Sequence, residues 1–351
     1  MHSRWFKSVI CMRYTSTEKI AQSSWEGKLK KLQHRAIKPV QRESIGFSPV
    51  FGYLSPNMLS HELQNFLFIS LTIEEKKLQK NKLKRLVALK TREFAKNEGK
   101  KEEELTKEER SAIKDGVETE MLKDIVPDEY YINAFLDTKQ SLLFVDVSSG
   151  PKVKRLIEWI QRLDEGFDAK PFFDASLEIY LTQWLYKPDE NMPQGIRMDQ
   201  EATLKHDDKS KAVFSNQDLE SEEIITLINH DKRVIELALV RDGKLNFKLK
   251  ADGSLRKLKP TDLLLGEVDR PENMTSILQD MEADWIVMSN ELTRLYEWFE
   301  NIFEVNVADN AENNLSMESE SRFSTTETPP ATSSQELEQA SVDQLDTLNF
   351  G

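Results

Sequence analysis

Between Val234 and Leu249 apolar and polar positions alternate with a period of two. Residues 234–240 read as a strand, Asp242-Gly243 as a two-residue hairpin turn, and Leu245, Phe247 and Leu249 as the inward side of the return strand. Lys244, Asn246, Lys248 and Lys250 then share the outward face, next to the basic stretch Asp252-Gly253-Ser254-Leu255-Arg256-Lys257-Leu258-Lys259. Just upstream, Gln217-Asp218-Leu219 leads into Ser221-Glu222-Glu223-Ile224, a helix start capped by Asp218 or Ser221 with acids in the first turn.

The same patterning predicts strands over residues 5–14, with Trp5, Val9 and Cys11 on one parity, and over 66–72. Residues 132–136 and 142–147 form a hairpin around 138–141, and Leu177, Ile179 and Leu181 alternate as a strand ending near Trp184. A helix over 77–98 has Leu83, Leu86, Val87, Phe94 and Ala95 as its apolar stripe. A capping box at Thr106–Glu109 opens a second helix carrying Ile113, Val117, Met121 and Ile125 as far as Pro127. The two read as a protruding helical hairpin. Pro151 suits the first turn of a helix that turns Val153, Leu156, Ile157, Ile160 and Leu163 inward. Residues 187–215 read as a polar irregular insertion. Ile277, Met281, Trp285 and Met288 suggest a helix, followed by another carrying Leu292, Leu295, Phe299 and Ile302.

The fold class is therefore α+β, with mixed antiparallel sheets, packed helices and the hairpin. Residues 1–75 and 128–186, completed by 270–304, form the expected central α+β domain. Residues 76–127 form a helical tip, and 187–269 a base subdomain holding the basic β-hairpin. Beyond Glu304 the composition shifts to Asn, Ser, Thr, Glu and Gln, which buries too little apolar surface to offset chain entropy, so 305–351 is expected to be a disordered acidic tail.

Composition changes this picture in three ways. A formal net charge of −13 speaks against a nucleic-acid partner at first sight, but about −8 of it lies in the tail and only about −5 in the body. A local basic surface is compatible with that, because field focusing depends on arrangement and not on the sum. Cys11 is the only cysteine, so no intrachain disulfide forms and a reducing compartment is expected. No apolar run approaches a membrane span and residues 1–13 have too short an apolar core for a signal peptide, so a cytoplasmic protein with no membrane partner is expected.

Two basic patches stand out. Residues 76–101 hold eleven cations against Glu93 and Glu98, and Lys76, Lys77, Lys80 and Lys84 are the expected phosphate contacts there. In the second patch, Lys248, Lys250, Arg256 and Lys257 are the expected contacts. Neither patch interleaves aromatics for base stacking, which favours duplex backbone over single strands and argues against sequence reading.

The order of Trp5-Phe6-Lys7, Glu74-Glu75-Lys76, Leu142-Leu143-Phe144-Val145-Asp146, Leu181-Thr182-Gln183-Trp184, Gln217-Asp218-Leu219, Ser221-Glu222-Glu223-Ile224, Leu237-Ala238-Leu239 and Asp252-Gly253-Ser254-Leu255 resembles the recombination-associated protein RdgC family over residues 4–304. That resemblance implies a ring-shaped, nucleoid-associated homodimer that binds double-stranded DNA with little sequence preference and modulates a RecA-type recombinase. It also implies dimer contacts at Gln217 and at Tyr130, the aromatic three residues after Pro127.

No catalytic residue, cofactor or metal is expected, and the histidines lack metal-ligand spacing. The enzymatic alternative is a Mg²⁺-dependent nuclease in which Asp128 and Asp137 hold the ion and Lys139 steadies the attacking water. A turn is the simpler reading of Asp137-Thr138-Lys139. The other rival is a protein-interaction module that acts through the acidic tail without binding DNA.

Overall fold

A computed structural model describes residues 5–268 and 276–323, with side chains to residue 303. In chain order the first half comprises β1 (Ile10–Thr15), α1 (Gln22–Lys31), β2 (Glu43–Ser48), β3 (Ser60–Leu63), β4 (Phe66–Glu75), α2 (Lys80–Asn97), α3 (Lys107–Lys123), β5 (Asp128–Asp137), β6 (Leu142–Val145), α4 (Gly150–Ile160) and β7 (Asp168–Pro171). The second half comprises α5 (Glu178–Tyr186), α6 (Pro188–Asn191), β8 (Ile196–Lys205), β9 (Lys211–Ser215), α7 (Glu222–Asn229), β10 (Arg233–Arg241), β11 (Leu245–Lys250), β12 (Leu255–Pro260), α8 (Asp262–Gly266) and α9 (Ile277–Phe323). The fold class is the α+β architecture expected.

A seven-stranded antiparallel sheet runs in the order β2-β4-β5-β6-β1-β7, with β3 beside β4. β4 and β5 pair along their whole length, from Phe66 opposite Asp137 to Glu75 opposite Asp128. One face of the sheet buries Leu67, Leu71, Ile73, Ile132 and Leu136 against Trp25 and Leu29 of α1 and Val153, Leu156 and Ile160 of α4. On the other face, Phe135 stacks on Phe144 with ring centroids 4.6 Å apart, and Phe68 on Trp285 of α9 at 4.7 Å. Helices on both faces of one sheet give a layered core whose bury-both-sides strands are almost wholly apolar at their centres. Cys11 lies inside this core, where burial pushes its thiol well above the ordinary value and makes it inert.

The second sheet has five antiparallel strands in the order β12-β11-β10-β8-β9. Its central hairpin is the one expected: Asp242 and Gly243 take φ of 48° and 69°, as a two-residue turn requires, and Leu245, Phe247 and Leu249 are buried. An antiparallel bridge between Val9 and Leu255 ties the two sheets together.

Three expectations are corrected. Residues 177–181 are not a strand: Leu181, Trp184 and Leu185 are buried while Ile179 is exposed, the spacing of one helix face, and α5 results. Residues 187–215 are not irregular, because they supply β8 and β9. Ala202 and Leu204 point inward there, between the polar residues Glu201, Thr203 and Lys205. The two helices read over 277–302 are one. The buried set Met281, Trp285, Met288, Leu292 and Leu295 continues unbroken, and the Ser289 hydroxyl donates to the Trp285 carbonyl at 2.7 Å, so it does not interrupt the helix.

The paired helices α2 and α3 are as read, including the capping box in which Thr106 and Glu109 serve each other's backbone N–H. Residues up to Tyr296 pack as one unit and those from Glu297 as a second. In the second unit the rings of Trp298, Phe299 and Phe303 lie in sequence along α9, with centroids 5.6 and 5.8 Å apart. The disorder expected of 305–351 falls, from residue 324 on, outside the described residues. No helix among the described residues is long and apolar enough to cross a membrane.

Candidate nucleic-acid interface

The lysines of β11 and β12 do not form an open cationic row. Lys248 is 8% exposed, and its ammonium is held between Glu201 of β8 and Glu236 of β10. Burial alone would lower its pKa, but the hydrogen bonds and charges of the two glutamates raise it above the ordinary lysine value. Lys257 also binds Glu201, at 2.7 Å, and Lys250 binds Asp252 at 2.8 Å. Arg256 donates to the Ser148 carbonyl. On the outward face of this sheet Lys248, Lys250 and Lys257 are thus already matched by carboxylates, while Lys259 is exposed with no ion pair among the described residues. Hydrogen bonds from Lys248 and then Lys257 hold the Glu201 carboxyl below the usual glutamate range.

That network has a testable consequence. Replacing Lys248 by methionine leaves Glu201 and Glu236 facing each other half-desolvated, and the fold should lose about 2 kcal/mol, measured by urea unfolding at neutral pH. The sign with pH follows from the lowered Glu201 pKa. The stabilisation is full above the unfolded glutamate value and disappears as pH falls through the folded one, so wild type and variant should converge in acid. An equal loss at all pH values would mean that only packing of the lysine stem matters.

The helical patch divides differently. Lys76, 7% exposed, donates from Nζ to the carbonyls of Pro39 and Leu122, both at 2.8 Å, and so pins the end of α3 to the chain entering β2. Lys77 pairs with Asp128 at 2.9 Å. Lys80 and Lys84 are exposed and, among the described residues, have no ion pair. The same holds for Lys82, Arg85 and Lys96 on the same helix. These last three belong to the basic run of residues 76–101 but are not among the phosphate contacts expected from it. The apolar stripe of Leu83, Leu86 and Val87 could have located two of them, since a period of 3.6 places Arg85 and Lys96 on the side away from it, whereas Lys82 borders it beside Leu86 in the cleft against α3.

Tyr130 and Gln217 lie on different elements. The Tyr130 ring packs partly buried against the core of the seven-stranded sheet, with the Lys152 ammonium 4.6 Å above its centroid. Gln217 follows β9, which is the free edge of the five-stranded sheet and exposes 67% of Val213. Its side-chain amide donates to Glu223 at 3.4 Å. The positive φ of Asn216, 55°, turns the chain out of β9 just before it.

The nuclease constellation does not assemble. Asp128 and Asp137 are the two ends of β5, about 30 Å apart at strand rise. Asp137 is fully buried and accepts from the backbone N–H groups of Lys139 and Gln140. Among the described residues no group of three or more His, Cys, Asp or Glu side chains is placed to hold a metal ion.

The described residues thus form an α+β chain with exposed, unpaired cations along α2 and no cluster of His, Cys, Asp or Glu placed to hold a metal ion. The family model "Putative exonuclease, RdgC" matches residues 4–306, and the chain belongs to the RdgC family. It is 27% identical over 307 residues to the "Recombination-associated protein RdgC" of Xanthomonas campestris pv. campestris (strain B100), covering 87% of this chain and 99% of that one. The protein of the same name from Shewanella loihica (strain ATCC BAA-1088 / PV-4) is 26% identical over 297 residues, covering 83% of this chain and 95% of its own length.

Proposed function

We propose that this protein acts in recombination as a non-enzymatic, nucleoid-associated DNA-binding protein. In this reading it encircles double-stranded DNA as a ring-shaped homodimer, binds without sequence preference, and limits access of a RecA-type recombinase. The observation that carries the reading is the set of exposed cations on α2 that have no carboxylate partner among the described residues: Lys80, Lys82, Lys84, Arg85 and Lys96. Non-specific affinity is mainly phosphate neutralisation, and only cations not already neutralised release counterions on binding. Family membership and the relatives' name agree with a role in recombination.

Within this reading the phosphate contacts shift toward α2. Lys76 and Lys248 are structural ions, Lys77, Lys250, Arg256 and Lys257 are secondary contacts, and Lys80 and Lys84 remain primary ones. One dimer contact would form at Gln217 beside the open β9 edge, where strand addition satisfies unpaired backbone groups, and the other around Tyr130.

The test is binding to labelled random-sequence duplex across a salt series, with mass measured in parallel. A dimer whose log affinity falls with log salt at about −0.9 per phosphate contact, and which ignores sequence, agrees with the proposal. A folded dimer with no affinity at low salt would overturn it and point to a protein-interaction module instead. Loss of labelled DNA on adding Mg²⁺ would point to the nuclease.

A further inference from the structure

A cleft of about 300 Å³ opens over the sheet where β2, β4 and β5 lie side by side. Thr72 and Tyr131, opposite each other on β4 and β5, line it, and Gly46 lies opposite Thr72 on β2. Gly46 is required there: a Cβ would land 2.4 Å from the backbone N and Cα of His34. The main chain at Gln33–His34 therefore lies directly against the sheet and makes one wall. The Pro49–Pro56 loop makes another, and its 3₁₀ turn (Gly52–Leu54) lifts the Tyr53 ring into solvent, 79% exposed. Glu129 lines the rim, its Oε1 accepting from the Tyr131 hydroxyl at 2.8 Å.

Two buried polar atoms beside the cleft have no hydrogen-bond partner among the described residues. Thr72 is 2% exposed, yet its Oγ1 has no hydrogen-bond partner. His34 Nε2, 3.3 Å from Glu74 Oε2, also makes no hydrogen bond. Buried polar atoms are normally satisfied, so an orphaned hydroxyl at the base of an aromatic cleft points to a ligand group. The charge of the site is negative: Glu129 lies at the rim, Glu74 behind His34, and no lysine or arginine lines it.

We infer that this cleft receives the guanidinium of an arginine side chain presented by a partner protein. Guanidinium is planar, weakly hydrated and cationic, so it stacks on an exposed tyrosine face and its fork of N–H donors serves Glu129 and Thr72 Oγ1 together. An ammonium meets the charge but neither stacks nor reaches two acceptors in a plane. A nucleobase would suit the aromatic walls, but its phosphate would be drawn to a rim carboxylate with no lining lysine or arginine to neutralise it. The inference does not rest on DNA binding, and neither result depends on the other.

The test titrates the full-length protein with acetyl-Gly-Arg-Gly-amide, its lysine counterpart and deoxynucleoside monophosphates, followed by ligand-observed NMR. The arginine peptide should bind saturably with a Kd of about 1 mM, the lysine peptide about 10-fold more weakly, and the nucleotides not at all. Tyr53→Ala and Glu129→Gln should each weaken the arginine peptide about 5- to 10-fold. Thr72→Val should weaken it as well while leaving the melting temperature unchanged or raised, because the hydroxyl it removes bonds nothing in the free protein. No saturable binding of the arginine peptide to wild type would overturn the inference. So would binding that survives Tyr53→Ala and Thr72→Val, or nucleotides that compete for the site.

Discussion

Charge reversal at Lys80, Lys82, Lys84 and Arg85 together should cost duplex DNA binding about 100-fold at low salt and flatten the log–log salt slope by about 3 to 4. All four side chains are exposed and without ion pairs among the described residues, so reversal breaks no ion pair, and thermal unfolding should change little, any loss coming from Lys82, which shares a cleft with Glu120 and Asp124. An acid at position 80 even suits the first turn of α2. The comparison that gives the experiment its force is the pair Lys250→Gln and Lys257→Gln. These lysines already lie against Asp252 and Glu201, and their loss should weaken binding only a few-fold. Equal losses from both sets would return the interface to the β-hairpin, and no loss from either would remove DNA from the proposal. Reversal at Lys248 is a poor probe, because a third carboxylate between Glu201 and Glu236 would act on folding before it acts on DNA.

Why the β-hairpin was legible and its electrostatics were not comes down to distance along the chain. Asp242-Gly243 and the alternation of Leu245, Phe247 and Leu249 are local signals, and they fixed the turn and the buried face. Asp252 and Glu236 are close in the chain, but the carboxylate that binds both Lys248 and Lys257 arrives from elsewhere: Glu201 stands 56 residues before Lys257, on a strand masked by its own polar outward row. The same holds for Lys76, whose burial depends on carbonyls 37 residues before it and 46 after it. A lysine count sees charge but not whether that charge is already matched. The helix at residues 178–186 was lost for a different reason. Over so short an apolar run Leu177 and Leu181 satisfy both periods, and only the tertiary burial of Trp184 and Leu185 decides between them.

Replacing Asp137 by alanine should destabilise the fold by about 3 to 4 kcal/mol, more than any other single change argued above. Its carboxylate has no exposure and no ion pair among the described residues. Instead it accepts from Asn65 Nδ2 at 2.6 Å, from the N–H groups of Lys139 and Gln140 at 2.9 and 3.1 Å, and from Thr293 Oγ1 at 3.1 Å. Those donors come from the β3–β4 turn, the β5–β6 turn and α9, so one side chain joins three segments that sequence separates. The neighbourhood registers the charge: burial, then Asp137 itself, push the Tyr14 hydroxyl well above the usual tyrosine range. Alanine would leave the buried Thr293 hydroxyl and three part-buried turn donors without their acceptor. Asparagine keeps the size and part of the accepting capacity, and should cost about 1 to 2 kcal/mol. Urea unfolding of the three proteins measures the series. Repeating it with Mg²⁺ separates a structural carboxylate from a metal ligand, since an ion bound to the native state would stabilise wild type and not the alanine variant. With the carboxylate surrounded by four donors and the other end of its strand about 30 Å away, the expected shift on adding Mg²⁺ is none. An alanine variant that lost under 1 kcal/mol would mean that the turn and α9 hold together without this carboxylate.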